Sequence, residues 1–323
     1  LRLASVPYGL AVRLRNRLYE HRWRAVHRAA VPVVSVGNLT AGGTGKTPCV
    51  EYVAGFYRRR DRRVAVLSRG YGSPGGRNDE ALVLEENLPD VPHLQGADRV
   101  ALAGTAVEEL ESEVLVLDDG FQHRRLARDL DLVLIDATEP WGYGYLLPRG
   151  LLREPRSSLR RAGLVVLTRC DQADRERVDA LRCEVRRYAP AVPVVETRHG
   201  PVELVNSARA VAPLDGLRNR PVAAFCGIGN PQAFRRTLVD LGADVRAFRA
   251  YPDHFPYTRS DVESLRSWLK DLPADGLAVT TQKDLVKLRV DRLAGRELWS
   301  LRIRLQVLAG LGEFEDRLQG AVP

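Results

Sequence analysis

Apolar residues in this chain gather in short, nearly unbroken runs that close on polar ones. "VPVVSVGN" (31–38), "RVAVLSRG" (63–70), "EVLVLDD" (113–119), "DLVLIDA" (131–137) and "GLVVLTR" (163–169) all take that form. Such runs, without alternation, predict strands buried on both faces. Between them the pattern turns helical, from the end of "GGTGK" to about Arg60 and again over Ala97 to Glu111. Pro48 falls in the first turn of the first helix, where a missing N–H costs nothing. Strands alternating with helices predict a parallel sheet covered on both sides, with functional residues at the strands' carboxyl ends. The pattern loosens in "TRHGPVELVNSARAVAPL" (197–214), and a linker with room for a short strand is expected over 201–214. A second, smaller α/β unit is expected over 215–323. It holds "PVAAFCGIGNP" (221–231), a helix near 232–241, "DVRAFRAYPDH" (244–254), a helix at 258–270, "GLAVTTQKD" (276–284) and a last strand near 297–305. "GIGNPQ" lacks the third glycine of a dinucleotide fingerprint and reads as a tight strand-to-helix turn.

The leading segment, 1–30, stands apart. It holds seven arginines and one glutamate, six of the chain's eight net positive charges. Leu10, Leu14 and Leu18 recur at four-residue spacing in a helix expected from about Tyr8, with Arg13, Arg15, Arg17, Arg22 and Arg24 around them. The longest uncharged run, Leu3 to Val12, is about half the ~20 residues needed to span a bilayer, and no small-residue cleavage pattern follows it. Two readings stay open: an amphipathic helix in a membrane interface with its arginines on anionic headgroups, or a surface helix packed on the main domain. The rest of the chain is close to neutral, which argues against a general nucleic-acid surface.

Composition narrows the class further. With 323 residues, 45% hydrophobic and 28% charged, the chain fits a globular protein of two domains. Its four cysteines show no paired spacing, which fits a reducing compartment and argues against zinc. There is no methionine, so the translated start is expected upstream of Leu1. Arginine outnumbers lysine 45 to 4, which singles out Lys46, Lys270, Lys283 and Lys287 for inspection.

"SVGNLTAGGTGKTP" (35–48) ends as a phosphate-binding loop does, but Thr40 stands where the usual pattern has its first glycine. Gly42, Gly43, Thr44 and Gly45 are placed to turn backbone N–H groups around phosphate oxygens, and the helix starting near Lys46 adds its positive end. Lys46 is expected on the β- and γ-phosphates and the Thr47 hydroxyl on Mg²⁺. The partner acid comes from a neighbouring strand. Asp118 and Asp119 end "VLVLDD"; Asp136 ends "LVLIDA" and reads equally as a loop cap. "LTRCD" (167–171) resembles the guanine-reading motif of GTPases with Arg169 in place of lysine, and reads otherwise as an ordinary strand-end turn. It is the support for a rival class, a GTP-dependent switch or metal-delivery protein. Transfer to an alcohol needs a base. The candidates are His254 in "YPDHFPY" and the acidic pair Asp79-Glu80, a carboxylate and a histidine expected from facing domains that close on each other.

These motifs together resemble the tetraacyldisaccharide 4′-kinase family. The resemblance covers nearly the whole chain and rests on "VPVVSVGNLTAGGTGKTP", "LSRGYG", "VLDDGFQHRRLARDLDLVLIDA", "LLPRGLLREP", "LVVLTR", "FCGIGNP", "YPDHFPYT" and "TTQKDLVKL", in that order. Threonine at position 40 is usual in that family. The resemblance implies a P-loop NTPase-like parallel-sheet domain (31–200) and a second α/β domain lining the cleft. It implies transfer of the γ-phosphate of ATP, with Mg²⁺, to the 4′-hydroxyl of an acylated glucosamine disaccharide 1-phosphate. It also implies attachment through 1–30 to the anionic cytoplasmic face of the inner membrane; no obligatory protein partner is inferred. Residue by residue, it implies catalytic roles for Asp79, His254 and Asp119, and metal binding by Thr47 and Asp118. It places Glu80, Arg99, Gln122, His123, Arg153 and Glu154 along the active site.

Overall fold

The computed structural model describes residues 2–70, 79–288 and 290–322; the stretch "YGSPGGRN" (71–78), with Tyr71 and Asn78, lies outside them. The chain divides into two compact units. One comprises Leu1–Gly75, Asn87–His199 and Leu305–Pro323, the other Gly76–Glu86 and Gly200–Arg304.

In chain order the elements begin with helix α1 (Arg2–Glu20), strand β1 (Val33–Asn38), α2 (Lys46–Arg58), β2 (Val64–Ser68) and α3 (Asp79–Asn87). There follow β3 (His93–Gln95), α4 (Arg99–Glu108), β4 (Val114–Asp118), β5 (Leu130–Asp136), β6 (Leu164–Thr168), α5 (Arg175–Tyr188), β7 (Val194–Asn206) and β8 (Val211–Ala212). The chain ends with β9 (Pro221–Cys226), α6 (Pro231–Asp240), β10 (Asp244–Ala250), α7 (Arg259–Trp268), β11 (Leu277–Thr281), α8 (Gln282–Leu288), β12 (Arg292–Leu293), β13 (Arg296–Ala309) and α9 (Leu311–Ala321).

In the first unit the strands run in the order β7-β6-β5-β1-β4-β2-β3, all pairs parallel. β1, β2, β4, β5 and β6 are buried at every position. One face packs Leu67, Leu115 and Leu117 on Ala103 and Ala106 of α4. Another layer packs Ile135, Val165 and Leu167 on Val178, Leu181 and Val185 of α5. Two-sided burial is why these strands read as unbroken apolar runs. β1 is central, between β5 and β4, so the loop leaving it has an acidic strand end on either side: Asp118 on β4, Asp136 on β5.

In the second unit β10, β9, β11 and β13 pair in parallel, and the two-residue strands β8 and β12 pair antiparallel with β7 and β13. β9 alternates cleanly. Val222, Ala224 and Cys226 pack on Phe234 and Leu238 of α6, while Ala223 and Phe225 pack on Leu265 and Leu269 on the other side. The turn after β9 leads into α6, whose Asn230 side chain caps Ala233 N with Pro231 at the first position. "GIGNPQ" is therefore the tight strand-to-helix turn that its two glycines indicate.

The expected boundaries need correction. The linker 201–214 is mostly strand: β7 continues to Asn206 and β8 pairs back on it. Its polar and charged positions, such as Glu203 and Asn206, hid a 13-residue strand whose burial is uneven. The last residues do not belong with the second unit. α9 packs in the first, where Phe314 stacks on Tyr52 at 5.0 Å and the Tyr57 hydroxyl donates to Leu318 O at 2.7 Å. α3, α5, α8 and α9 have no counterpart among the helices expected from the pattern, and α1 begins at Arg2, not near Tyr8.

Candidate active site

β1 delivers the chain into the Gly-rich loop, and α2 starts directly after it. Gly45, at φ 84, takes the capping position of α2 with no side-chain cap, so the first amides of that helix are left for a ligand. A Cβ on Gly42 or Gly43 would meet nothing within 4 Å, which makes the loop an open cradle. Thr40 forms an antiparallel bridge to Leu152, and Ala41 N donates to Leu151 O at 2.6 Å. The first position of the motif thus carries an extended, bridged residue and has no need of glycine.

Charged groups gather beside the cradle. Lys46 Nζ lies 3.5 Å from Asp119 Oδ1 and donates to Asn38 Oδ1 at 3.4 Å. Arg153 Nη1 donates to both Asp119 oxygens, at 2.9 and 2.7 Å. Burial opposes the charge on Asp119, but Lys46 and Arg153 outweigh it and hold the carboxyl below its ordinary range. Asp119 itself sits at φ 54, a conformation uncommon outside glycine, directly after β4. Asp118 closes β4 in register with Val36. Gln122 Nε2 donates to Asn38 O at 3.0 Å. Arg99 opens α4, behind the side-chain cap of Asp98, and its charge and that of Asp119 act on each other. Burial, with Arg99, Arg125 and Arg128 nearby, pushes His123 down to about 4, so it is neutral at pH 7.

Among the expected site residues Glu154 departs. It is fully buried and faces α1, accepting from Asn16 Nδ2 at 2.7 Å, Arg161 Nη2 at 2.7 Å and Arg15 Nη2 at 3.2 Å. The chain bends just after the Thr40–Leu152 bridge, with Arg153 N donating to Leu39 O. The two neighbouring side chains serve different partners: Arg153 meets Asp119, and Glu154 meets the leading helix.

"LTRCD" is a brace on the phosphate loop. Thr168 Oγ1 donates to Thr44 O at 2.9 Å. Arg169, at φ 56, donates to Gly43 O at 2.9 Å and pairs with Asp136. Asp136 Oδ1 accepts from Thr138 N and Oγ1 at 2.9 and 2.7 Å, which is its loop-cap reading.

His199, partly buried under Gly45, is pushed down to about 4 by burial and by Arg169. The unfolded chain takes up this proton near pH 6.5, the folded chain only near 4, so stability falls with pH between the two. Full burial would make the loss roughly 3 kcal/mol; for a partly exposed ring about 1–2 kcal/mol is expected between pH 6.5 and 4.5. Thermal unfolding across that range checks it. His199→Gln is expected to flatten the curve, and an unchanged slope would count against the assignment.

A second group of side chains lies within the second unit. Asp79 opens α3 and is buried; its Oδ2 lies 2.9 Å and its Oδ1 3.2 Å from His254 Nδ1. His254 follows β10 at φ 56 in "YPDHFPY" and is more than half exposed. Lys283 Nζ donates to Glu80 Oε1 at 2.9 Å. Burial opposes the Lys283 charge, but Glu80 and Asp79 outweigh it and hold the ammonium above its ordinary range. Asp79 and His254 were expected from facing domains. They belong to one unit, and their pairing needs no domain closure, because α3 packs with residues 200–304 although it lies early in the chain.

Sequence reasoning missed Asn38, Thr168, His199, Tyr257 and Asp284. Asn38 carried a signal, as the polar end of an otherwise apolar strand. Among the described residues no group of three or more His, Cys, Asp or Glu is arranged as a metal centre. The hydroxyl of Thr47 and the carboxylate of Asp118 are hard oxygen donors of the kind Mg²⁺ takes when phosphate oxygens complete its shell.

A central parallel strand, a glycine cradle at a helix start, an adjacent lysine and threonine, and an acidic end on the next strand define a P-loop nucleotide-binding protein. Comparison with known proteins gives the family. The model of the family "LpxK: Tetraacyldisaccharide-1-P 4'-kinase" matches residues 1–322. The tetraacyldisaccharide 4'-kinase of Anaeromyxobacter sp. (strain K) is 45% identical over 344 residues, covering 100% of this chain and 90% of that one. That of Geobacter metallireducens is 42% identical over 308 residues, covering 89% and 88%. The crystal structure of LpxK from Aquifex aeolicus in complex with ATP superposes with a TM-score of 0.80 at 30% identity, over 100% of this chain and 98% of that one. The chain belongs to the tetraacyldisaccharide-1-P 4'-kinase family.

Proposed function

We infer that this protein is an ATP-dependent lipid kinase that phosphorylates the 4′-hydroxyl of a tetraacylated glucosamine disaccharide 1-phosphate, a step of lipid A biosynthesis. The first unit takes the nucleotide. The amides of Gly42 to Gly45 and the start of α2 receive phosphate oxygens, and Lys46 neutralises them. Thr47 and Asp118 would hold Mg²⁺, which supplies charge neutralisation on the phosphates. The acceptor hydroxyl oxygen attacks the γ-phosphorus, the bond from that phosphorus to the β–γ bridging oxygen breaks, and ADP leaves. The hydroxyl proton passes to the Asp79–His254 pair, in which the ring nitrogen Nδ1 faces the carboxylate. Positioning and charge account for most of such a catalyst's effect.

The observation that carries this reading is the Asp79–His254 pair at 2.9 Å. An alcohol acceptor requires a base; a GTP-dependent switch does not, and "LTRCD" is engaged in bracing the loop.

The substrate is a membrane lipid, and α1 is suited to meet it at an anionic surface. Its inner side is tied down: the Tyr8 hydroxyl donates to Arg153 O at 3.0 Å, Val12 is buried and Asn16 binds Glu154. Val6, Leu10 and Leu14 are about 60% exposed, with Arg13 and Arg17 beside them. Apolar side chains flanked by arginines suit the headgroup boundary. No described helix is long and apolar enough to cross a membrane. The proposed place of α1 is the interface on the cytoplasmic face, where ATP is available.

The test is an assay with ATP, Mg²⁺ and acylated disaccharide 1-phosphate. A phosphorylated lipid is expected, with ATP preferred to GTP in competition. No lipid product, or a guanine preference without an acceptor, would overturn the reading.

A further inference from the structure

Two lysines one helical turn apart on α8, Lys283 and Lys287, face the two acids that open α3. Lys283 takes Glu80. Lys287 Nζ lies 4.0 Å from Asp79 Oδ2, 3.0 Å from Asp284 Oδ1 and 5.4 Å from the centre of the Tyr257 ring. The chain has only four lysines among 49 basic residues, and this one is largely buried.

Asp284 is fully buried and well supplied with neutral donors. Its Oδ2 accepts from Gly227 N at 3.0 Å and Thr281 Oγ1 at 2.6 Å, and its Oδ1 from the Tyr257 hydroxyl at 3.1 Å. Three hydrogen bonds already engage that carboxylate. The Lys287 ammonium approaches Asp284 as an ion pair without aligned hydrogen-bond geometry. Burying an ammonium is costly, and two carboxylates offset that cost better than one. Asp79 is the other carboxylate. It accepts from the N–H of Glu80 and faces both His254 Nδ1 and this ammonium.

We infer that Lys287, seated by Asp284 and Tyr257, is a positioning residue for the Asp79–His254 pair. It holds the Asp79 carboxylate turned toward His254 Nδ1, so that the ring meets a fixed acceptor when the hydroxyl proton is taken. Asp284 ties the same cluster to the turn after β9 through Gly227. A Cβ on that glycine would fall 3.1 Å from Asp284 Oδ1.

This inference rests on the reading of Asp79 and His254 as the base, and a double-mutant cycle separates the two. Wild type, Asp79→Asn, Lys287→Met and the double variant are assayed for kcat and for KM of both substrates. Lys287→Met is expected to lower kcat about 10–100-fold with both KM values within about twofold, and to cost less than about twofold when Asp79 is already asparagine. Lys287→Arg, which keeps the charge, is expected to recover most of the loss. If Lys287→Met does not fold, Lys287→Gln takes its place in the cycle. An equal loss in both backgrounds, or a loss confined to the KM of the lipid, would overturn the inference. Full activity of Asp79→Asn would instead overturn the base assignment beneath it.

Discussion

Asp79→Asn is expected to lower kcat by about 10³, within the ~10²–10⁴ range of general-base contributions, while ATP affinity stays within about twofold. The substitution keeps volume and removes one negative charge from a carboxylate that lies 2.9 Å from His254 Nδ1. An asparagine can turn its NH₂ toward that nitrogen, which then must accept, and the ring is left in the other tautomer. On the proposed reading the nucleotide is held by residues 42–47 with Asp118, and Asp79 has no part in holding it, so binding is expected to be spared. His254→Ala is expected to lose a similar factor, and the double variant little more, because the two residues work as one unit. The measurement is steady-state kcat with the lipid acceptor beside nucleotide titration. Wild-type turnover in Asp79→Asn, or equal losses in kcat and ATP affinity, would remove the pair from the chemistry.

The order of elements in the first unit was legible because strands buried on both faces leave an unmistakable apolar run, and because a glycine cradle cannot be built from other residues. The second unit was legible in part. β9, β11 and α6 show their faces, whereas β7 crosses from one unit to the other and changes its surroundings midway, so its sequence has no single pattern. Motif spacing reached the charged residues but not their directions. Arg153 and Glu154 are neighbours in sequence and serve different partners. Among the partners that shape the site without chemistry of their own, His199 under Gly45 leaves no local trace, whereas Asp284 sits one helical turn before Lys287. Their roles come from contacts between positions 154 and 3 residues apart in number, and only the fold brings the former together.

Gly45→Ala is expected to weaken ATP binding by at least about 100-fold without unfolding the protein. Two costs combine. The backbone at φ 84 lies in the left-handed region, where a Cβ costs roughly 1–2 kcal/mol. The Cβ would also lie 2.0 Å from His199 Cε1 and 2.3 Å from Nε2, far inside contact distance. Either the ring or the loop must move. The ring is confined by the packing that makes it hard to protonate, and the loop is tied by Thr168 to Thr44 O and by Arg169 to Gly43 O. A displacement of ~1 Å in a positioned site is enough to cost about 10²-fold. Gly43→Ala supplies the contrast, since its Cβ meets no protein atom; it should leave the melting temperature unchanged and impair only the nucleotide. Adding His199→Ala to Gly45→Ala removes the overlap but not the left-handed backbone. Part of the affinity should return, leaving a deficit of about 10-fold, equivalent to roughly 1.4 kcal/mol. Fluorescent-nucleotide titration of the three variants decides it. Normal ATP affinity in Gly45→Ala would mean that the loop does not hold phosphate in the way its glycines indicate.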